Sequence, residues 1–249
     1  MKKKLIFGII VLLILFIIAF GYQWIDWSKK EESLIKSSPL VGTPEFKTPP
    51  AEVQQVAEEG LPQFLQGLTY DKMALESYGI KSFKEAQSAN LGKAYLLYTV
   101  KDIAQLANYS QKQKVSVLIT PTQTWYFTVL TNNEPRVDLN VSWQEGRWQA
   151  VAIGGNLSRA MREMERKIPD LLKAKGITSK CSNKLVKIFS LHATFVFLNC
   201  ADREFIIPLT PTGWFNLEQG KLYPAEEAII NFTEEAEKTI NQPQGLIGH

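Results

Sequence analysis

The first 27 residues place the strongest restriction on what this chain can form. Three lysines, Lys2–Lys4, precede a run without charge from Leu5 to Gly21, and through Ile25 the mostly apolar run covers 21 residues. At 1.5 Å per residue, about 20 helical residues span the roughly 30 Å hydrocarbon layer of a bilayer. A secretory signal usually has a shorter apolar core, so the length favours a retained transmembrane helix over residues 1–27.

The two flanks of this run predict its orientation. Tyr22, Trp24 and Trp27 cluster at its end, where aromatic side chains prefer the headgroup layer. By the positive-inside rule, Lys2–Lys4 place the N-terminus in the cytoplasm. We therefore expect a single-pass protein of the cell membrane with an extracytoplasmic C-terminal domain. The alternative is a cleaved signal, for which residues 19–21 are the best cleavage site.

The excess positive charge of the chain lies in this N-terminal segment. The 28 lysines and arginines exceed the 25 aspartates and glutamates by three, and the lysines at positions 2–4 account for that excess. A nucleic-acid-binding domain needs a dense basic face, so the balanced remainder argues against nucleic acid as a partner.

The rest of the chain predicts a linker followed by a folded domain. Residues 28–50 contain four prolines and no sustained periodicity, which is typical of a linker. Residues 51–249 predict an extracytoplasmic α+β domain, in which antiparallel sheet meanders pack with helices, because the strands come in runs. A long helix separates two such runs and leaves open two similar units, with a sub-boundary near residue 176.

Several local predictions follow from helix-breaking residues and from alternation. We expect Gly60 and Pro62 to break or kink the first helix, and Pro169 to bend the long helix or end it early. Residues 121–124, Pro-Thr-Gln-Thr, predict a turn between two strands. The strict alternation of residues 136–143 predicts a strand with one buried and one solvent-exposed face.

The long helix combines an apolar stripe with a basic side. We expect Asn156 to cap it, after a Gly154-Gly155 turn whose amide groups are also suited to hold an anion. At 100° per residue, four cations fall within about 60° of one another, nearly opposite the apolar stripe. This basic ridge is a candidate contact with an anionic surface, or else a solvated face: Arg159, Arg162, Arg166 and Lys173.

The two cysteines, Cys181 and Cys200, both follow the predicted membrane segment. If the strands around Ser190-Leu191 form a hairpin, the cysteines lie opposite each other, and outside the cytoplasm a disulfide between them would persist. The alternative is two buried thiols that act as small apolar side chains. The histidines are His192 and His249, and we expect His192 to lie with satisfied hydrogen bonds on a sheet.

No short catalytic or metal-binding motif is present, since G-x-S-x-G, H-E-x-x-H and C-x-x-C are all absent. The sequence therefore predicts no catalytic residue, no metal ligand and no cofactor. The resulting hypothesis is a membrane-anchored, non-catalytic module that contacts membrane lipid through its N-terminal helix and binds a protein or envelope partner. The alternatives are an envelope enzyme that uses carboxylates without a short motif, and a structural subunit of a membrane complex.

Overall fold

The computed structural model describes residues 48–68, 72–201, 203–211 and 215–241. All of them belong to one compact unit within residues 40–249. The transmembrane helix predicted at residues 1–27 and nearly all of the predicted linker lie outside the described residues. Within the described residues, no helix combines the length and the apolar character needed to cross a bilayer.

The described residues contain six α-helices and eight strands. The helices are α1 Ala51–Leu68, α2 Lys72–Ser77, α3 Phe83–Gln87, α4 Ile103–Ala107, α5 Leu157–Ala174 and α6 Ala225–Asn241. The strands are β1 Asn90–Val100, β2 Ile119–Thr131, β3 Glu134–Gln144, β4 Arg147–Gly154, β5 Ser182–Ile188, β6 Ala193–Cys200, β7 Arg203–Pro208 and β8 Tyr223–Pro224.

All eight strands belong to a single sheet in the order β4-β3-β2-β1-β5-β6-β7-β8. Neighbouring strands run antiparallel except at the centre, where β1 and β5 are parallel and pair Leu97 with Leu185 and Tyr98 with Val186. The α+β class is confirmed. The prediction of antiparallel meanders holds for each half, but the whole sheet is mixed. The sheet is mixed because the chain passes from β4 through α5 to β5, which then lies beside β1 and parallel to it.

Helices cover both faces of the sheet. On one face, α1, α4 and α6 pack over a large core that includes Phe127, Phe197 and Phe232. On the other face, α5 buries an apolar stripe over a second core: Met161, Met164, Ile168 and Leu172. The prediction of a solvent-exposed face on β3 is wrong, because the side of the sheet covered by α5 includes Asp138, Asn140 and Ser142, which are 1%, 6% and 7% exposed.

α1 and α5 continue through their prolines, and α1 also through Gly60, so the predicted break in α1 and the predicted early end of α5 are wrong; the alternative predictions of a kink and a bend stay predictions. α1 passes Gly60 and Pro62, and α5 passes Pro169 and ends at Ala174. Each helix is held by packing of its apolar stripe on the sheet, which overrides the weak helix propensity of these residues. Pro62 has no amide hydrogen to donate to the carbonyl of Glu58. Glu58 is exposed, so water can donate to this carbonyl instead.

The turn predicted at residues 121–124 is instead a bulge within β2. Tyr98 of β1 pairs with Pro121, and Leu96 pairs with Trp125, so β2 carries extra residues at this point. The hydroxyl of Thr122 donates to the Leu97 carbonyl at 2.8 Å and accepts from the Thr124 amide at 3.1 Å. These hydrogen bonds satisfy backbone groups at the point where the pairing of β1 with β2 is interrupted, so β2 continues through the bulge.

β5 and β6 form a hairpin about a 3₁₀ turn at Phe189–Leu191. Ser182 pairs with Asn199, and at the open end of the hairpin Cys181 and Cys200 form a disulfide with their Cα atoms 4.1 Å apart. His192 is exposed and closes the turn with a φ of 50°. The expectation that His192 lies on a sheet is therefore wrong, because the chain reverses at this residue in a left-handed conformation.

Replacing Gly60 by alanine tests how closely α1 packs on β4. In an exposed helix interior this change stabilises by about 1 kcal/mol. At Gly60, however, a Cβ atom would overlap with the Cβ atom of Ala150, and overpacking costs about 1–3 kcal/mol. We expect Gly60→Ala to lower the free energy of unfolding, measured by chemical denaturation.

Gly67 provides the matched control in the same helix, because a Cβ atom there meets nothing within 4 Å. Gly67→Ala should leave the free energy of unfolding unchanged or raise it. An equal response of the two variants would contradict the close contact between α1 and β4.

Candidate functional site

The structure places the basic ridge on the side of α5 that faces away from the sheet. Arg159, Arg166 and Lys173 are exposed and Arg162 is half-buried. The Arg159 Nε atom donates to Glu163 Oε1 at 2.9 Å, so part of the positive charge of the ridge is compensated within the helix. Binding of an anionic surface by these residues stays a prediction.

The N-terminus of α5 is capped from a neighbouring strand. Asn156 occupies the N-cap position, but its side chain makes no capping hydrogen bond. Instead, the Ser158 amide donates to both carboxylate oxygens of Asp138 in β3, at 3.3 and 3.1 Å, and the Ser158 hydroxyl donates to Oδ1. The capping role predicted for Asn156 is therefore wrong, and Asp138 supplies the negative charge at this helix N-terminus.

Asp138 and Ser158 form a buried structural pair. Burial raises the pKa of the Asp138 carboxyl group to about 6, although the hydrogen bonds from Ser158 oppose this shift. Ser158 is 0% exposed, so its hydroxyl group is inaccessible to a substrate. The geometry of the pair resembles a nucleophile beside a base, but its burial excludes that role in this conformation.

A second polar cluster holds α5 over the junction of the two meanders. The Lys93 Nζ atom donates to both carboxylate oxygens of Glu165 at 2.7 Å, and the Tyr95 hydroxyl donates to Oε2 at 3.1 Å. Asn183 of β5 donates to Oε1 at 3.4 Å. Glu165 therefore connects α5 to strands of both meanders. Burial and the negative charge of Glu165 raise the pKa of Tyr95 well above its usual value.

A groove of about 480 Å³ lies between α1 and β4, the outermost strand of the sheet. It combines apolar side chains with polar and charged ones. Its lining residues are Val56, Glu59, Gly60, Gln63 and Phe64 from α1, and Arg147, Trp148, Gln149 and Ala150 from β4.

The groove follows the edge of β4. Successive side chains of a strand point to opposite faces of the sheet. Four consecutive residues of β4 line the groove, so residues from both faces contribute to it. The groove therefore runs along the edge of the strand. Alternate residues of an outermost strand direct their amide and carbonyl groups away from the sheet. We call residues 147–150 the open edge.

The remainder of β4 is less suited to pairing with another strand. A bulge at Val151 interrupts the register, because Asn140 pairs with Ala152 and Val141 pairs with Ala150. Beyond the bulge, the Tyr78 hydroxyl donates to the Ile153 carbonyl at 3.4 Å. Bulges and capping side chains are common protection of edge strands. The available part of β4 is therefore the open edge beside the groove.

Trp148 forms the aromatic wall of the groove. Its ring packs edge-to-face against Trp143, with centroids 5.5 Å apart and planes at 75°, and it also contacts the core beneath α1. This support holds the half-buried indole in place. Glu59 and Arg147 add charges of opposite sign to the same groove.

At the opposite edge of the sheet, β8 has two residues, Tyr223–Pro224. Proline has no amide hydrogen to donate, so this edge is poorly suited to accept a further strand. The sequence pattern predicts β4 as a strand, but its position at the edge depends on the pairing of β1 with β5. That pairing leaves no short signature in the sequence, so the groove could not be predicted.

Comparison with known proteins gives no relative: no family model, no curated protein and no solved structure matches the chain. Among the described residues, no group of three or more histidine, cysteine, aspartate or glutamate side chains is placed to hold a metal ion. The function is therefore argued from the open edge and its groove.

Proposed function

We propose that this protein is a membrane-anchored, non-catalytic module of the cell envelope that binds an extended segment of a partner protein along the open edge. The observation on which this proposal rests is the groove beside an outermost strand, with Trp148 as its wall.

Strand addition explains why the occupant is an extended peptide. The outward amide and carbonyl groups of the open edge match the backbone of an added strand, which gives affinity largely independent of sequence. At 3.4 Å per residue, four residues accept a segment about 14 Å long. Val56, Phe64 and Trp148 then contact alternate side chains of the peptide and provide selectivity.

Two further features support an extracytoplasmic module. The apolar N-terminal run has the length of a membrane anchor. The Cys181–Cys200 disulfide fits an oxidising compartment, because thiols are kept reduced in the cytosol. An enzymatic role has weaker support, since Glu59 is the one carboxylate among the nine residues that line the groove.

A peptide library tests strand addition directly. Linear heptapeptides displayed on phage are selected against the full chain in detergent, and binders are measured by fluorescence anisotropy. Gln63 is exposed and lines the groove, so Gln63→Trp should fill the groove and weaken binding by about tenfold or more. Glu58→Trp is the matched control, because Glu58 is also exposed on α1 and does not line the groove, and neither does Gln54, from which it accepts a hydrogen bond.

Backbone methylation distinguishes strand addition from side-chain binding. N-methyl groups at alternate peptide amides should abolish binding in one register and leave it nearly intact in the other. The proposal is wrong if no linear peptide binds, if Gln63→Trp binds as the wild type does, or if both methylated series bind equally.

A further inference from the structure

The three long helices divide the molecule into layers of opposite charge. α1 has three glutamates and no basic residue, a net charge of −3, and α6 has five glutamates and one lysine, a net charge of −4. α5 has five basic and three acidic residues, a net charge of +2. α1 and α6 cover one face of the sheet, and α5 covers the other. The helices on the two faces therefore carry opposite net charges, although the total charge of the chain is nearly balanced.

Three strands add cations to the face covered by α5. Each cation lies over an aromatic ring two residues further along the chain, and each of these rings belongs to or packs against the core beneath α5. The Lys93 Nζ atom is 4.9 Å from the Tyr95 centroid, the Lys187 Nζ atom is 4.5 Å from the Phe189 centroid, and the Arg203 guanidinium carbon is 5.9 Å from the Phe205 centroid. Such contacts hold a basic side chain in place while its charged end remains near solvent.

The acidic residues of α5 are largely compensated within the protein. Glu163 pairs with Arg159, and Glu165 pairs with Lys93. The excess positive charge is therefore carried by the other basic residues of the helix: Arg162, Arg166, Lys167 and Lys173. Arg159, Arg166 and Lys173 are spaced by seven residues, so they follow one line at steps of about 10 Å.

We propose that the basic layer docks on a bilayer surface that contains anionic phospholipids. The basic layer consists of the outward side of α5 together with Lys187 and Arg203; the charge of Lys93 is compensated by Glu165. Charge complementarity supports this occupant, because cations spread along a helix match a surface of phosphate headgroups. The acidic layer formed by α1 and α6 is repelled by the same surface, which fixes the orientation of the domain.

The choice of a bilayer as the occupant rests on the membrane anchor in the proposed function. An anchored chain keeps the domain close to a bilayer at all times, and this high effective concentration allows a weak electrostatic contact to be occupied. Docking through α5 also leaves the groove accessible, because α1 and its groove lie on the opposite face of the sheet.

Lysine reactivity in nanodiscs tests the docking with the full chain. The chain is incorporated into discs of phosphatidylcholine alone, or with phosphatidylglycerol added, and acylation of each lysine is followed by mass spectrometry. Acylation of Lys167, Lys173 and Lys175 should slow by about threefold or more in the anionic discs and recover in high salt. Lys72 and Lys114, which lie away from α5, should react equally in both discs.

Two charge variants make the test specific. In the first, Arg159, Arg162 and Arg166 are each replaced by glutamine, which should lower the docking equilibrium constant on the order of 100-fold and abolish the protection. The matched control replaces Lys84, Lys101 and Lys112, three exposed lysines outside the basic layer, by glutamine. It removes the same charge and should retain the protection.

Three outcomes in the discs would overturn the docking proposal. They are equal lysine reactivity in both kinds of disc, protection that persists in the arginine variant, and protection that depends on protein rather than lipid concentration, which would indicate a second copy. If the chain does not enter discs, the proposed anchor is wrong. Docking is then decided by salt-reversible flotation of the full chain with phosphatidylglycerol vesicles, where no flotation overturns it.

Discussion

Loss of the Cys181–Cys200 disulfide is expected to lower the free energy of unfolding by about 3 kcal/mol. The two cysteines are 19 residues apart, and their bond closes the open end of the β5–β6 hairpin. A crosslink that closes a loop of this length lowers the conformational entropy of the unfolded chain, and the corresponding gain in stability is about 3 kcal/mol. The loss is large because β5 is also the strand that joins the second meander to β1.

Chemical denaturation in a non-ionic detergent, followed by tryptophan fluorescence, measures this effect. The wild type should unfold at a lower denaturant concentration when a reductant is present. The double variant Cys181→Ala/Cys200→Ala should unfold at that lower concentration with or without reductant. A wild type that is insensitive to reductant would contradict the prediction.

Asp138→Ala is expected to destabilise the protein more at acidic pH than at alkaline pH. The substitution removes the partner of the buried Ser158 amide and hydroxyl groups, and each unsatisfied buried group costs about 1–3 kcal/mol. For an exposed N-cap carboxylate the opposite pH trend applies, because protonation removes its favourable charge. Burial of Asp138 reverses this trend.

The direction follows from proton binding. The pKa of Asp138 is about 6 in the folded protein against an ordinary value of 3.8 for an aspartate, so the folded state binds more protons between these values. The contribution of the carboxyl group to stability is therefore fully present below pH 4 and is lost as the pH rises through 6. Between pH 8 and pH 4.5, the cost of Asp138→Ala should increase by about 2 kcal/mol.

Denaturation of the wild type and the variant at the two pH values measures this difference. Asp170→Ala is the control, because Asp170 is exposed on α5, the helix that Asp138 caps, and its effect should remain within about 0.5 kcal/mol at both pH values. A cost of Asp138→Ala that is constant or larger at pH 8 would show that burial does not dominate the energetics of this carboxyl group.

Those parts of the fold that depend on local patterns could be predicted from the sequence. The existence of β3 as a strand, the apolar stripe of α5 and the hairpin between β5 and β6 are all encoded over short stretches. The single mixed sheet could not be predicted in this way, because the pairing of β1 with β5 joins residues 88 positions apart. The position of the groove depends on that pairing as well.

The positions at which helices end or are interrupted are harder to predict from the sequence than the presence of the helices. Gly60 disfavours a helix by its propensity, but its missing side chain is what allows α1 to contact Ala150. Asn156 has the side chain of a capping residue, but that role is taken by Asp138, which lies in a strand 20 residues before the Ser158 amide that it caps. A contact with a distant part of the chain therefore decides both the continuation of α1 through Gly60 and the capping of α5. A single sequence carries no local signal of such contacts.

The junction between β1 and β5 has a consequence for the order of folding. Every other strand pair joins neighbours in the sequence, so each meander can form by fast, local hairpin closure. The junction pairs two residues of each strand across a separation of 88 residues, and such non-local pairing is slow. We therefore expect the parallel contact between the two meanders to form late in folding, and the hydrogen bonds of Glu165 to both strands to stabilise it.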